Sequence, residues 1–272
     1  MKAARFDYLR PADRFEAVRL LAQTGGLGKI VAGSQSLGPM LNMRLAQPSA
    51  LIDVRVLDEL ALAREEDDAI VLGACITHAR IEDGLVPDPS RGLLPFVAGG
   101  IAYRAVRNRG TLGGSLAHAD PAADWINAMP LLDAECLLQG PGGERSVAAA
   151  DWMQAAFTTA LGEDEILTGV RLPRLSPAAR WSYIKFNRKA GEFAEAIAAV
   201  VDDPRRGLCR AVIGALDGPP HVVADARPLL GGDAEAAARR ELAAAGLEPD
   251  TYEYRLHAVA LSRAVQALGS QP

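Results

Sequence analysis

Two short stretches of this chain hold the residue types best suited to grip a ligand. "AGSQS" occupies positions 32–36, and "TLGGS" occupies 111–115 within the longer "RNRGTLGGSLAHADPAAD" of 107–124. Glycine lets the main chain approach a ligand closely and take up positive φ, and Ser and Thr hydroxyls add donors. Backbone N–H groups converging from such a loop, with a helix starting behind it, are what a pyrophosphate requires. Two such loops in one chain, about 75 residues apart, point to one elongated ligand held from both sides. Neither loop is the Gly-x-Gly-x-x-Gly fingerprint of a dinucleotide fold, nor a phosphate loop ending in Lys-Ser/Thr.

Read from the residues alone, each loop also has a purely structural alternative, because Gly/Ser-rich strand-to-helix turns are common. Asp120 and Pro121 are explained as a helix cap and first helical residue, and Asp124 as a complement to the helix dipole. His118 reads as a packed or hydrogen-bonded loop histidine rather than a base. Arg107 and Arg109 fit a solvated surface or a phosphate neighbour equally.

The rest of the composition excludes more than it suggests. The 272 residues are 49% hydrophobic and carry a net charge of −5 from 29 basic and 34 acidic side chains, with no basic stripe, so nucleic acid is not an expected partner. Cys75, Cys136 and Cys209 lie far apart and cannot supply the four thiolates of an iron–sulfur cluster; they read as buried apolar residues. His78, His118, His221 and His257 share no metal-ligand spacing, so no metal site is expected. The first residues lack the apolar core of a secretory leader, and no apolar run reaches the ~18 residues of a membrane span, so a cytoplasmic location is expected.

The elements that must position the two loops follow from periodicity. Asp13 and Glu16 frame the start of an amphipathic helix with Phe15, Val18 and Leu21 on one face, ended by Gly25 and Gly26. "KIVA" then runs as a strand into the first loop, a helix starts at Ser36, and "ALIDV" (50–54) closes a β-α-β unit. Further on, "AIVLGA" (69–74) is a strand, Thr77 caps a short helix, 92–106 is helical, a helix begins at Pro121, and 135–152 is strand–turn–strand. "EILTGVRLP" (165–173) is a strand leading into the proline-bearing "RLPRLSPAAR" (171–180), a boundary. Three strands, "RWSYIKFNR", "AEAIAAVVDD" and "GLCRAVIGALDG", precede helices near 233–245 and 251–268.

"VAGSQSLGPMLNMRLAQPSALIDV" and "RNRGTLGGSLAHADPAADW" together resemble the FAD-binding medium subunit of the molybdenum hydroxylases, the group of carbon monoxide dehydrogenase and xanthine dehydrogenase. "FDYLRP", "EILTGVRLP", "YIKFNRKAGEFAEA" and "CRAVIGAL" follow in the family's order, so the resemblance spans nearly the whole chain. It implies an α+β fold: a two-subdomain PCMH/vanillyl-alcohol-oxidase-type FAD domain over 1–174 (subdomains about 1–56 and 57–174), plus a smaller C-terminal α/β domain over 175–272 with a three-stranded sheet and helices. It implies FAD with its pyrophosphate against Ala32, Gly33, Ser34, Gln35 and Ser36 and against Thr111, Leu112, Gly113, Gly114 and Ser115. Asp124 matches an FAD-contacting Asp, and Leu167 and Lys185 match an apolar residue and a Lys near the flavin. From the residues alone, Leu167 is equally a core position and Lys185 a solvated one.

Two positions depart from the family pattern: Ser34 stands where Gly is common, and Glu192 where Asp is common. The resemblance further implies an oxidoreductase subunit that does not oxidise substrate alone and has no catalytic acid or base. Its partners would be a large subunit with a molybdopterin-type Mo cofactor and a small subunit with two 2Fe-2S clusters, in a dimer of heterotrimers. Electrons would leave for an external acceptor. The competing expectations are a self-contained FAD-dependent oxidase and a non-catalytic binding or assembly module.

Overall fold

The computed structural model describes residues 2–269; the last three residues of the predicted C-terminal domain lie outside them. A first, small sheet contains β1 (Asp7–Leu9), β2 (Gly28–Val31) and β3 (Ala50–Asp53) in the order β1-β3-β2, all parallel. The crossovers are α1 (Arg14–Gln23) and α2 (Leu37–Asn42). Asp13 caps α1 by accepting from the Glu16 N–H at 2.7 Å, and Ala17, Val18 and Leu21 are buried. Phe15, expected on that face, is 59% exposed. At 100° per residue it lies roughly 110° from the centre of the buried stripe, and the Arg14 guanidinium sits over its ring.

The second sheet is antiparallel throughout. It contains β4 (Ala63–Glu65), β5 (Ala69–Gly73), β6 (Glu135–Gly140), β7 (Gly143–Ala148) and β10 (Ile166–Pro173), in the order β4-β5-β10-β6-β7. The hairpin of β8 (Met153–Ala155) and β9 (Thr158–Thr159) stands beside it. Between β5 and β6 the chain makes an excursion through α3 (His78–Glu82), α4 (Leu93–Gly99), α5 (Arg104–Arg107), α6 (Leu112–His118) and α7 (Asp124–Leu131). The single helix predicted over 92–106 is therefore two, interrupted at Gly100 and at Ala102, whose φ is +41°. The helix predicted from Pro121 starts at Asp124. Asp120 does not cap it; its carboxylate closes a turn by accepting from the Ala122 N–H at 3.0 Å.

The third sheet is β11 (Arg180–Phe186), β12 (Ala196–Asp203), β13 (Leu208–Gly214) and β14 (His221–Val223), antiparallel in that order. Three strands were expected; the fourth is a three-residue edge strand, too short to show a period of two after Pro219-Pro220. Helices α8 (Arg227–Leu230), α9 (Ala234–Ala244) and α10 (Tyr252–Gly269) follow. Central strand β12 is buried on both faces, which explains its nearly unbroken run of Ala, Ile and Val. Ala196, Ala198 and Val200 pack with Leu261 and Ala264 of α10. Ile197, Ala199 and Val201 point the other way and join the large core of Trp125 and Met129 on α7. The third sheet is thus clamped onto the helix that follows the second glycine loop.

Candidate functional site

The first loop is Ala32–Ser36, between the end of β2 and the start of α2. Gly33 is buried against the second loop: a β-carbon there would lie 2.7 Å from the Arg109 carbonyl carbon and 2.8 Å from Gly110 Cα. Only glycine allows the two backbones this approach. Ser34 has φ +60°, the left-handed region. Gln35 folds back, its Nε2 donating to the Gly33 carbonyl at 2.9 Å. Among the described residues, the N–H groups of Gly33, Ser34, Gln35 and Ser36 donate to no protein acceptor, and the Ser34 and Ser36 hydroxyls have no protein partner. This loop offers a set of uncommitted donors.

The second loop is built the opposite way. Thr111 caps α6, its Oγ1 accepting from the Gly114 N–H at 3.0 Å. The Leu112 N–H donates to the Ile76 carbonyl and the Gly113 N–H to the Ala74 carbonyl, each at 2.9 Å. A β-carbon on Gly113 would lie 2.8 Å from Ala74 Cα, so Gly113 lets the helix start press onto the end of β5. Gly114 is exposed beside Ala32, and the Ser115 hydroxyl has no protein partner among the described residues. Arg107 is committed to Glu82 (Nε–Oε2 2.8 Å) and to the carbonyls of Ile101 and Ala102, whereas Arg109 is exposed and, among the described residues, in no ion pair. His118 packs at a tilt against Phe157, ring centroids 5.2 Å apart, as a packed histidine.

Behind the loops lies a buried polar chain. A β-carbon on Gly110 would touch the His78 ring at 2.8 Å, and His78 Nδ1 accepts from Trp125 Nε1 at 3.0 Å. Burial first, and the Arg107 charge second, hold the His78 pKa down at about 4, so the imidazole is neutral with its proton on Nε2. Trp125 follows Asp124, which is 5% exposed. Asp124 Oδ2 accepts from Lys185 Nζ at 2.7 Å, and Oδ1 accepts from the Tyr183 hydroxyl at 3.0 Å. Lys185 also donates to the Gly100 carbonyl at 3.2 Å. Burial pushes the Asp124 carboxyl upward, and the charge and hydrogen bond of Lys185 oppose it. Asp124 does more than complement a helix dipole, and Lys185 does not lie on a solvated face.

Leu167 is 8% exposed at a bulge in β10, where the register shifts before Gly169. The neighbouring Thr168 carbonyl accepts from the Ala74 N–H at 2.9 Å, and Ala74 in turn accepts from Gly113. The structure therefore brings the first loop into backbone contact with Arg109–Gly110, directly before the second, joins Asp124 to Lys185, and leaves Leu167 in the core one link from Gly113. Sequence reasoning passed over Tyr183, His78 and Trp125. The signal for Tyr183 was present: Tyr183 and Lys185, two apart on a strand, share one face.

Comparison with known proteins matches this architecture. Residues 4–175 fit the family model described as the FAD-binding domain in molybdopterin dehydrogenase. The carbon monoxide dehydrogenase medium chain of Hydrogenophaga pseudoflava is 39% identical over 201 residues, 72% of this chain and 69% of that one. The nicotine 6-hydroxylase medium subunit of Paenarthrobacter nicotinovorans is 36% identical over 263 residues, 94% of this chain and 91% of that one. Among solved structures, carbon monoxide dehydrogenase from Hydrogenophaga pseudoflava superposes with a TM-score of 0.90 at 32% identity, covering 99% of both chains. Quinoline 2-oxidoreductase from Pseudomonas putida 86 gives 0.85 at 34% identity, covering 98% of both. With the glycine-loop junction, the sheet architecture and these relatives in agreement, the chain belongs to the family of FAD-binding domains of molybdopterin dehydrogenases and is an oxidoreductase component similar to their medium subunits.

Proposed function

We propose that this chain is the flavin-carrying medium subunit of a molybdenum hydroxylase, working with a large molybdopterin subunit and a small subunit of two 2Fe-2S clusters in a dimer of heterotrimers. Bound FAD would supply two-electron chemistry, accepting electrons from the small partner's clusters and releasing them to an external acceptor. The observation that carries the reading is the junction of the two loops. Among the described residues, the N–H groups of Gly33–Ser36 and the hydroxyls of Ser34 and Ser36 have no protein partner beside the point where Gly33 meets Gly110, and the Ser115 hydroxyl of the second loop has none either. A diphosphate takes up such donors, and none of the described residues satisfies them. The residues present fit the group.

In this reading Ala32–Ser36 bind the pyrophosphate through main-chain N–H groups and hydroxyls. Thr111–Ser115 act chiefly as a shaped wall: Gly114 permits close approach and Ser115 donates. Lys185 presents a positive charge toward the flavin, partly balanced by Asp124, and Leu167 closes the apolar side. No side chain is assigned as an acid or base.

Incubating the purified full chain with FAD and then gel-filtering it should leave the visible flavin bands on the protein. Gly33→Val, which drives a side chain into the Arg109–Gly110 backbone, should lower FAD affinity by at least about a hundredfold, a gap of about 2.7 kcal/mol. A chain that stays colourless alone and with its partners would refute the assignment.

A further inference from the structure

Tyr183 is 6% exposed and its ring lies in the large core, enclosed by protein rather than open to the loop junction. Its hydroxyl nevertheless reaches across from β11 to α7 and donates to Asp124 Oδ1, while Lys185, two residues on, takes Oδ2. Both carboxylate oxygens are thus held by one face of one strand. The Asp124 and Lys185 side chains are 6% and 13% exposed. Such a pair contributes little net stability compared with apolar residues of similar volume, so packing alone does not call for it. It does place a charge and its counterion at a fixed separation in a medium where each is felt strongly.

We propose that Tyr183 is a positioning residue: by holding the Asp124 carboxylate as the counterion of Lys185, it sets how much of the Lys185 charge reaches the flavin. The proposal rests on the reading that Lys185 faces the flavin. The physical sequence is short. Lys185 favours the added negative charge of the reduced flavin, and Asp124 tempers that field. Burial already works against the Asp124 charge. Loss of the Tyr183 donor leaves the carboxylate less able to stay charged, so Lys185 acts more fully.

The test is a spectroelectrochemical titration of the flavin in the FAD-loaded full chain at one pH near neutrality. Lys185→Met should lower the reduced-to-oxidised ratio at a fixed poise about tenfold, which for a two-electron couple is about 30 mV. Asp124→Asn should raise that ratio by a similar factor, and Tyr183→Phe should raise it in the same direction. Adding Tyr183→Phe to Asp124→Asn should change nothing further. FAD content and the thermal transition of each variant confirm folding.

If Lys185→Met shifts the ratio while Tyr183→Phe stays within twofold of the parent, or shifts it equally in both backgrounds, the positioning role is overturned and the flavin-facing reading stands. If Lys185→Met shifts nothing, that reading fails and takes the proposal with it. Should Tyr183→Phe not fold, Asp124→Asn alone decides, an unchanged ratio overturning the idea.

Discussion

Ser34 occupies a left-handed backbone position, φ +60°, of the kind that favours glycine. A non-glycine residue there costs on the order of 1 kcal/mol, partly offset because glycine loses more chain entropy on folding. Ser34→Gly should therefore change stability by between zero and about 1 kcal/mol in the favourable direction, measured by urea unfolding, yet weaken FAD binding if the hydroxyl contacts phosphate. Stabilisation with undiminished affinity would show the hydroxyl to be idle. His78 makes the second argument at this scale. Its neutral form accepts from Trp125, and protonating Nδ1 would set two donors against each other. Because the folded-state pKa is depressed from 6.5 to about 4, this stabilisation is fully present above pH 6.5 and is lost as the pH falls from there through about 4. The shift is worth about 3 kcal/mol. Urea unfolding of the wild type should show that loss across the window, and His78→Gln should flatten it. An unchanged slope in the variant would assign the acid limb to other groups.

Among the elements, α6 and the end of β5 form one rigid piece through Gly113. Gly113→Val should destabilise the fold by about 1–3 kcal/mol as well as remove flavin binding, whereas Gly114→Ala, whose one tight contact is the Thr111 hydroxyl at 2.8 Å, should cost about 1 kcal/mol through the cap. Equal effects of the two on the thermal transition would contradict this division. The loops, the strand–turn–strand around Gly143 and the two long C-terminal helices were legible because glycine, proline and clean periodicity announce them locally. The false start at Pro121 arose because Asp120-Pro121 satisfies every local rule for a helix N-terminus, while Asp124, with its partners Tyr183 and Lys185 about 60 residues away, decides where the helix begins. At the break near Ala102, Arg107 holds the Ile101 and Ala102 carbonyls from five and six residues on, while the tie from Lys185 to the Gly100 carbonyl crosses 85 residues. Spacing along the chain carries no record of such contacts.

At the scale of the whole molecule, the third sheet shares its inner face with the core of α7. Asn127 packs directly onto Gly214, and Arg210 donates to the Pro130 carbonyl at 2.8 Å. Cutting the chain after residue 174 would bare α7 and strand Asp124 without its cation, so that fragment should aggregate or fail to retain FAD. A soluble, flavin-binding 1–174 fragment would show the sheet to be dispensable. Among the described residues no helix is long and apolar enough to cross a membrane. The unequal hydrogen bonding of the two loops has a kinetic counterpart. In the cofactor-free chain, the amides of Ser34–Ser36 should trade their protons for solvent deuterons almost as fast as an unstructured peptide, while those of the buried Leu112 and Gly113 exchange only when the molecule opens. Adding FAD should slow the first group and leave the second nearly as it was. One loop would then register the cofactor's arrival, and the other would keep time with the fold.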